Sequence, residues 1–311
     1  MSSMIMRYRT LSQHPTIFLK MTGLRLGEFD QLVTELVPEI VEAERKRLER
    51  ANRQRAIGGG RHTALDERDQ LLLTVVWLRQ YPTHEVLGYL FGVHPPTVGR
   101  YLEWVLPVLE QTGRDTMRLP DPGRKRRRSL DRLLADTPEL AVVIDSFEQK
   151  IQRPKDKAER DTYYSGKKKT HTLKSQVAVD EETGAIVDVS ESVPGPTADL
   201  KLLQQSKLLE RLPEGIGGLA DSAYQGIAKL HPLCASPRKK PWGKDKPRPP
   251  EDILYNHAFS CRRIVVENSI NRLRRYQCLT QTDRQHRQNH TARVCAVAGL
   301  VNRQLAHRMP A

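Results

Sequence analysis

The stretch "PDPGRKRRR", Pro120 to Arg128, limits how the rest of the chain can fold. A Pro/Gly turn followed by the five consecutive cations Arg124 to Arg128 would repel itself in a packed interior, so no single core runs through it. At 311 residues the chain also exceeds a typical domain of roughly 100 to 200. The reading is a helical domain over 1–120, a basic linker over 121–137 and a second domain over 138–311.

Before the linker the periodicity is helical. Leu26, Phe29, Leu32, Val33, Leu36 and Val37 share one face, and the charged run "EAERKRLER" prolongs that helix. "LLLTVVWLRQ" predicts a second helix, closed at Tyr81-Pro82. In "THEVLGYLFGVHPPTVGRYLEWVL", Thr83 can cap a short helix, Gly92 permits a sharp turn, and Pro96 suits the first turn of the next helix. This is helix, turn, helix. Val98 would anchor it in the core, while Thr97 and Arg100 would face base edges in a major groove. A helical packing module that never meets DNA can carry the same pattern.

After the linker the pattern becomes mixed. "LAVVID" reads as a buried strand, "THTLKSQVAVD" and "GAIVDVSES" as two strands about the turn "EETG", and "GIGGLADS" as another short strand. Helices are expected over Asp199 to Arg211, Tyr224 to Leu230, Ile253 to Cys278 and Ala292 to His307, with "SPRKKPWGKDKPRPP" a mobile basic loop. The element order is that of an α/β, RNase H-like mixed-sheet domain preceded by an all-α helix-turn-helix domain. Other α/β folds share parts of it.

Fifty-one Lys and Arg against 37 acids give a net charge of +14, which favours a polyanionic partner. Nucleic acid comes before a membrane surface, since the apolar runs fall far short of the ~20 residues of a spanning helix. No secretory signal is read at the N-terminus. Cys234, Cys261, Cys278 and Cys295 form no CxxC pair, against both a zinc site and a disulfide framework and for a reduced, cytoplasmic protein.

Two apolar runs end alike, "VVIDS" at Asp145 and Ser146, and "GLADS" at Asp221 and Ser222. Neighbouring strands lie about 5 Å apart, so these acids can face each other, and their repulsion calls for a cation such as Mg2+ or Mn2+. A third acid is offered by "CRRIVVENSINRLRRYQ", where Glu267 has Arg263 one turn before it and Asn271 and Arg274 one and two turns after. Arg groups there could grip phosphate in pairs of hydrogen bonds. Singly, each Asp is more often a turn former or cap, and Glu267 a solvated partner of Arg263 or Arg274. Jointly they point to a metal site.

Lys167, Lys168, Lys169, His171 and Lys174 cluster at the start of a strand, either as a solvated charge run or as phosphate contacts, with Lys169 and His171 sharing a face by alternation. Asp199 is read as capping the helix it opens. Ser146 and Ser222 are assigned only local hydrogen bonding.

"VVID", "TYYSGKKKTHTLKSQVAVDEETGAIVDVSES", "GLADSAYQG" and "RRIVVENSINRLRRYQCL" resemble successive blocks of bacterial insertion-sequence transposases with a DDE superfamily endonuclease domain, of the insertion-sequence-five type. The similarity runs from Val142 to Cys278, and "TGLRLGEFDQLV" with the helix-turn-helix resembles that group's N-terminal region. The resemblance implies that Asp145, Asp221 and Glu267 are the catalytic, metal-binding acids, flanked by Arg263 and Arg274. It further implies two Mg2+ or Mn2+ ions per site, double-stranded DNA as substrate (element terminal repeats and target), joining of freed 3′-OH ends to the target, and a homodimer or higher oligomer on DNA. The rival readings are a metal-dependent endonuclease that never joins ends, and a DNA-binding regulator carrying a relic catalytic domain.

Overall fold

Helix caps and apolar stripes set out the first of two compact units. The computed structural model describes residues 6–49, 63–123, 140–240 and 247–308; the cations Arg124 to Arg128, most of the expected linker and residues 241–246 of the basic loop lie outside them. The first unit begins with α1 (Tyr8–Leu11), α2 (Pro15–Thr22) and α3 (Leu26–Leu48). It continues with α4 (Glu67–Gln80), α5 (His84–Phe91) and α6 (Pro95–Asp115). In α3 the buried residues Phe29, Leu32, Leu36 and Ile40 form one stripe. By contrast α4 is buried on every side from Asp69 to Leu78, as its unbroken apolar run requires. Thr83 caps α5 by accepting a hydrogen bond from Val86 N at 3.4 Å, and Gly92 leaves the helix at φ +62°, a left-handed conformation that glycine adopts without strain. The expected helix-turn-helix is therefore α5, Gly92 and α6, with α6 starting at Pro95.

The second unit is a mixed sheet with helices. Its elements are β1 (Leu140–Lys150), α7 (Lys157–Tyr163), β2 (Tyr164–Ser165), β3 (Thr170–Asp180), β4 (Ile186–Val189) and β5 (Val193–Pro194). They are followed by α8 (Asp199–Ser206), α9 (Leu208–Arg211), β6 (Gly217–Ala220), α10 (Ile227–Leu230) and α11 (Pro250–Leu273). β1 runs antiparallel to β3 from Val142↔Asp180 to Lys150↔Thr172, and parallel to β6 as far as Ile144↔Ala220. β4 pairs with the other edge of β3. The turn between β3 and β4 is fixed by Asp180, whose Oδ1 accepts from Glu182 N at 3.0 Å and Thr183 N at 2.9 Å. Val142 and Ile144 of β1 join Ala178, Leu203, Leu208, Tyr224 and Ile227 in one buried cluster.

Several expected boundaries move. β1 does not end at Asp145 but continues to Lys150, because β3 keeps pairing with it after β6 has stopped. The helix expected over Asp199 to Arg211 breaks at Lys207, which takes φ +53° between α8 and α9. α11 stops at Leu273, and the rest of the expected helix becomes a 3-10 turn over Gln277–Leu279. The described start of the basic loop is not free, since Asn256 of α11 hydrogen-bonds the backbone of Arg238 on both sides.

The last helix, α12 (His290–Arg308), falls in sequence within the expected domain over 138–311 but groups in space with the helical unit. Arg275–Gln281 and the described part of Ala292–Ala311 group with the first unit, and the described part of Thr116–Arg274 with Thr282–Thr291 forms the second. The cause is close packing. A Cβ on Gly113 of α6 would lie 2.3 Å from the carbonyl oxygen of Cys295, and one on Gly299 would lie 2.4 Å from Gly113 Cα. Only glycines let the two backbones approach so nearly. Val294, Val297, Leu300 and Val301 of α12 are buried. Buried Tyr276 lies under the Arg79 guanidinium, 5.2 Å from ring centroid to Cζ. Among the described residues no helix is long and apolar enough to cross a membrane. All four cysteines are free thiols, with Cys261 alone exposed.

Candidate active site

Register brings Asp145 and Asp221 to the same level of the sheet. Ile144↔Ala220 is the last parallel pair of β1 and β6, and after both strands' members of that pair the next residue is the acid. Beyond that pair the two strands part. β6 ends, and Asp221 turns out to cap a 3-10 turn over Ser222–Tyr224, its Oδ1 accepting from Ala223 N at 2.8 Å. β1 goes on, so Asp145 stays partly buried within the sheet. Asp145 Oδ1 accepts from Ser146 N at 2.7 Å, and Oδ2 accepts from Arg263 Nη2 of α11 at 3.2 Å.

The charges in this cluster are not balanced. Burial raises the Asp145 pKa; the Ser146 N–H and the Arg263 guanidinium pull it down; the charges of Asp221 and Asp199 push it up again, and the net direction is upward. Buried Tyr224 is pushed far above the ordinary phenol value by burial first, then by Asp199, Asp145 and Asp221. Glu267 is exposed on α11, one turn beyond Arg263. Among the described residues no group of three or more His, Cys, Asp or Glu side chains is arranged to hold a metal ion. The structure thus brings together Asp145, Asp221 and Arg263, and leaves Glu267 outside that group.

On the opposite face of β1 lies a second constellation. Ser146 alternates with Asp145, and its Oγ donates to Asp199 Oδ1 at 2.6 Å. Lys174 Nζ sits 3.1 Å from the same Asp199 oxygen and donates to Thr197 O at 2.6 Å. Three expectations change here. Lys174 is 7% exposed and held by an acid, so it is not a surface cation waiting for phosphate. Asp199 does not cap α8: Ala198 occupies the cap position, and the Asp199 side chain reaches across to the sheet instead. Ser146 is not confined to local bonding, since its partner lies on α8. A lysine placed in the all-buried run from Thr172 to Asp180 was the available signal, because such a cation demands a buried acid.

The remaining candidates divide. Lys167, Lys168 and Lys169 are exposed, in the four-residue turn between β2 and β3. Lys169 takes φ +51° within that turn and so does not alternate with His171 along a strand. His171 is half-buried and sets its ring edge-on to Tyr164, centroids 5.6 Å apart. Asn271 and Arg274 are exposed at the end of α11. In the helical unit, Val98 is buried, Thr97 half-buried and Arg100 exposed along the first turns of α6.

Comparison with known families assigns both units. Residues 63–115 match the helix-turn-helix of DDE superfamily endonuclease, and residues 144–302, more than half of the chain, match DDE superfamily endonuclease itself. The chain belongs to the DDE superfamily endonucleases. The endonuclease is 29% identical to the "Probable transposase for insertion sequence element IS702" of Microchaete diplosiphon, over 93% of this chain and 94% of that protein. It is 24% identical to the "Putative nuclease HARBI1" of Rattus norvegicus, over 70% of this chain and 61% of that protein. No solved structure matches it. In this endonuclease the donor chemistry at Asp145 and Asp221 suits a hard divalent cation. Both side chains are carboxylates, hard oxygen donors, and burial, which raises the Asp145 pKa most, disfavours its bare anion where a cation would favour it.

Proposed function

We propose that this endonuclease is a DNA transposase, which binds the ends of a mobile element, cuts phosphodiester bonds there and joins the freed 3′-OH ends to target DNA. The observation that carries the reading is the placement of Asp145 and Asp221 one residue beyond the same strand pair. The similarity to a transposase over almost the whole of both chains supports it. We also read the sheet, β4-β3-β1-β6 with its one parallel pair at β1 and β6, as RNase H-like. The partners proposed are double-stranded terminal repeats, target DNA and a second copy of the chain. The compartment proposed is the cytoplasm.

In this reading Asp145 and Asp221 would hold two Mg2+ or Mn2+ ions, with Glu267, which stands exposed on α11 outside that pair, as the third acid that would have to join them. Bound there, the ions supply Lewis-acid activation of the attacking oxygen and neutralise charge on the leaving oxygen. The chain's own side chains do the rest. Arg263, already beside Asp145, grips phosphate oxygens next to the carboxylates. Lys167, Lys168 and Lys169 offer exposed ammonium groups to the backbone of the same strand. In the first step water attacks phosphorus and the 3′-oxygen leaves with the bonding electrons and takes up a proton. In the second that 3′-OH attacks a target phosphodiester, and one bond is again exchanged for another.

The test supplies pre-cut element ends, a target plasmid and Mg2+. Joined product from wild type, and none from Asp145→Ala or Asp221→Ala at undiminished DNA binding, is the expected result. Cutting of intact ends with no joining under Mg2+ or Mn2+ would make the protein a nuclease alone, and cleavage surviving in Asp145→Ala would remove the site.

A further inference from the structure

A cavity of about 430 Å³ opens beside Asp221 within the α/β unit. Its wall carries the cations Arg238, Lys239, Lys240, Arg248 and Arg263, and among the described residues Asp221 is the one carboxylate on it. The neutral lining is polar apart from Pro237, so an apolar small molecule finds little to bury against. Away from Asp221 a metal ion fits it no better, because the wall there carries only cations and neutral groups.

The wall is built rather than loose. Gln225 Nε2 donates to Pro237 O at 2.6 Å. Asn256 brackets Arg238, accepting from its N–H at 2.8 Å and donating to its carbonyl at 3.0 Å. The Arg238 guanidinium is spent on Asp252 at 3.0 Å and on the Tyr255 ring, 4.3 Å from its centroid. These ties fix the backbone that presents Lys239 and Lys240, both exposed. Among the described residues no carboxylate pairs with either lysine. Arg248 and Arg263 each keep a buried Nε with no hydrogen-bond partner. Two orphaned guanidinium donors and two unopposed ammonium groups around one cavity call for a ligand with several acceptor oxygens and more than one negative charge.

We propose that this cavity holds the backbone phosphates of the DNA strand immediately flanking the bond that is cut, with Lys239, Lys240 and Arg248 as their ligands. The proposal rests on the transposase reading, since Asp221 on the wall is what sets the occupant next to the scissile phosphate. The spacing of charges on a strand, one per nucleotide, suits a wall with cations on both the loop and α11.

Binding of duplexes with the element's terminal sequence is measured in EDTA, by fluorescence anisotropy over a salt series. The Lys239→Ala/Lys240→Ala double variant, whose side chains are exposed, should show a shallower salt dependence, by about 0.9 in log–log slope for each phosphate no longer neutralised. A set of duplexes, each with one neutral methylphosphonate linkage, then locates the site on the strand. Neutral linkages around one bond should weaken wild type several-fold and the double variant hardly at all, and Arg248→Gln should show the same selective loss. An unchanged slope, or equal penalties in wild type and variant at every linkage, would overturn the proposal. These readouts need no catalysis. A protein that binds in this pattern but never cuts keeps the phosphate site and loses the transposase reading, and one that cuts with equal penalties does the reverse.

Discussion

At the scale of the residue, Asp145 shows a conflict between fold and chemistry. Burial raises its pKa most; the Ser146 N–H and Arg263 recover more than Asp221 and Asp199 add back, yet burial keeps the net direction upward. A carboxyl with a raised folded-state pKa binds its proton more tightly in the native protein than in the unfolded chain. As pH climbs past the ordinary Asp value of about 3.9 the unfolded state ionises first, so native stability falls through that window and stays lower at neutral pH. Asp145→Asn removes that cost and keeps an acceptor for Ser146 N. In EDTA at pH 7 the variant should melt at or above wild type, by on the order of 1 kcal/mol, and the difference should vanish as pH falls toward 4. Mg2+ should raise the melting temperature of wild type, by about 1.4 kcal/mol equivalent at ten times its Kd, and leave the variant unmoved. Equal Mg2+ shifts in both proteins would show that Asp145 holds no ion. Lys174 and Asp199 teach the complementary lesson, since a cation and an acid that sequence order keeps apart settle each other's charge behind the active strand.

At the scale of the element, what could be read in advance was what local chemistry specifies. Thr83, Gly92 and the apolar stripe of α6 announce the helix-turn-helix in the residues themselves. The acids after "VVI" and "GLA" announce two strand positions, which register then aligns. The second half of β1 was not legible, because from Ser146 onward it pairs only with β3 and its Ser146, Glu148 and Lys150 break the apolar run. The destination of α12 was hidden for another reason: a glycine seam between distant helices leaves no periodic signal. Gly113→Ala tests that seam, since its methyl would meet the backbone of Cys295 and no flexible side chain can give way. A drop of about 1–3 kcal/mol in stability is expected in urea unfolding. Gly27→Ala, where a Cβ meets nothing within 4 Å, should cost none of this. If both substitutions are equally mild, α6 and α12 do not approach as described.

For the whole molecule the net charge of +14 makes salt the main variable in any binding experiment. That charge is not one undivided field. Lys174 is neutralised inside the α/β unit, and Arg238 is taken up by Asp252. The exposed cations of the β2–β3 turn and the exposed Arg100 of the helix-turn-helix remain, and they ask different things of DNA. Phosphate contacts carry affinity and salt dependence; base contacts carry discrimination. Replacing Lys167, Lys168 and Lys169 together by Ala should flatten the log–log salt slope by about 0.9 for each phosphate left without its cation, equally on element-end and unrelated duplexes. Arg100→Ala should instead cost about 1–3 kcal/mol on the element-end sequence and little on an unrelated one, so the ratio between the two falls. A triple variant with the wild-type slope would return the lysines to a solvated run. An Arg100 variant that weakens both duplexes alike would make α6 a backbone contact, and the reading of sequence would then have to lie elsewhere on the chain.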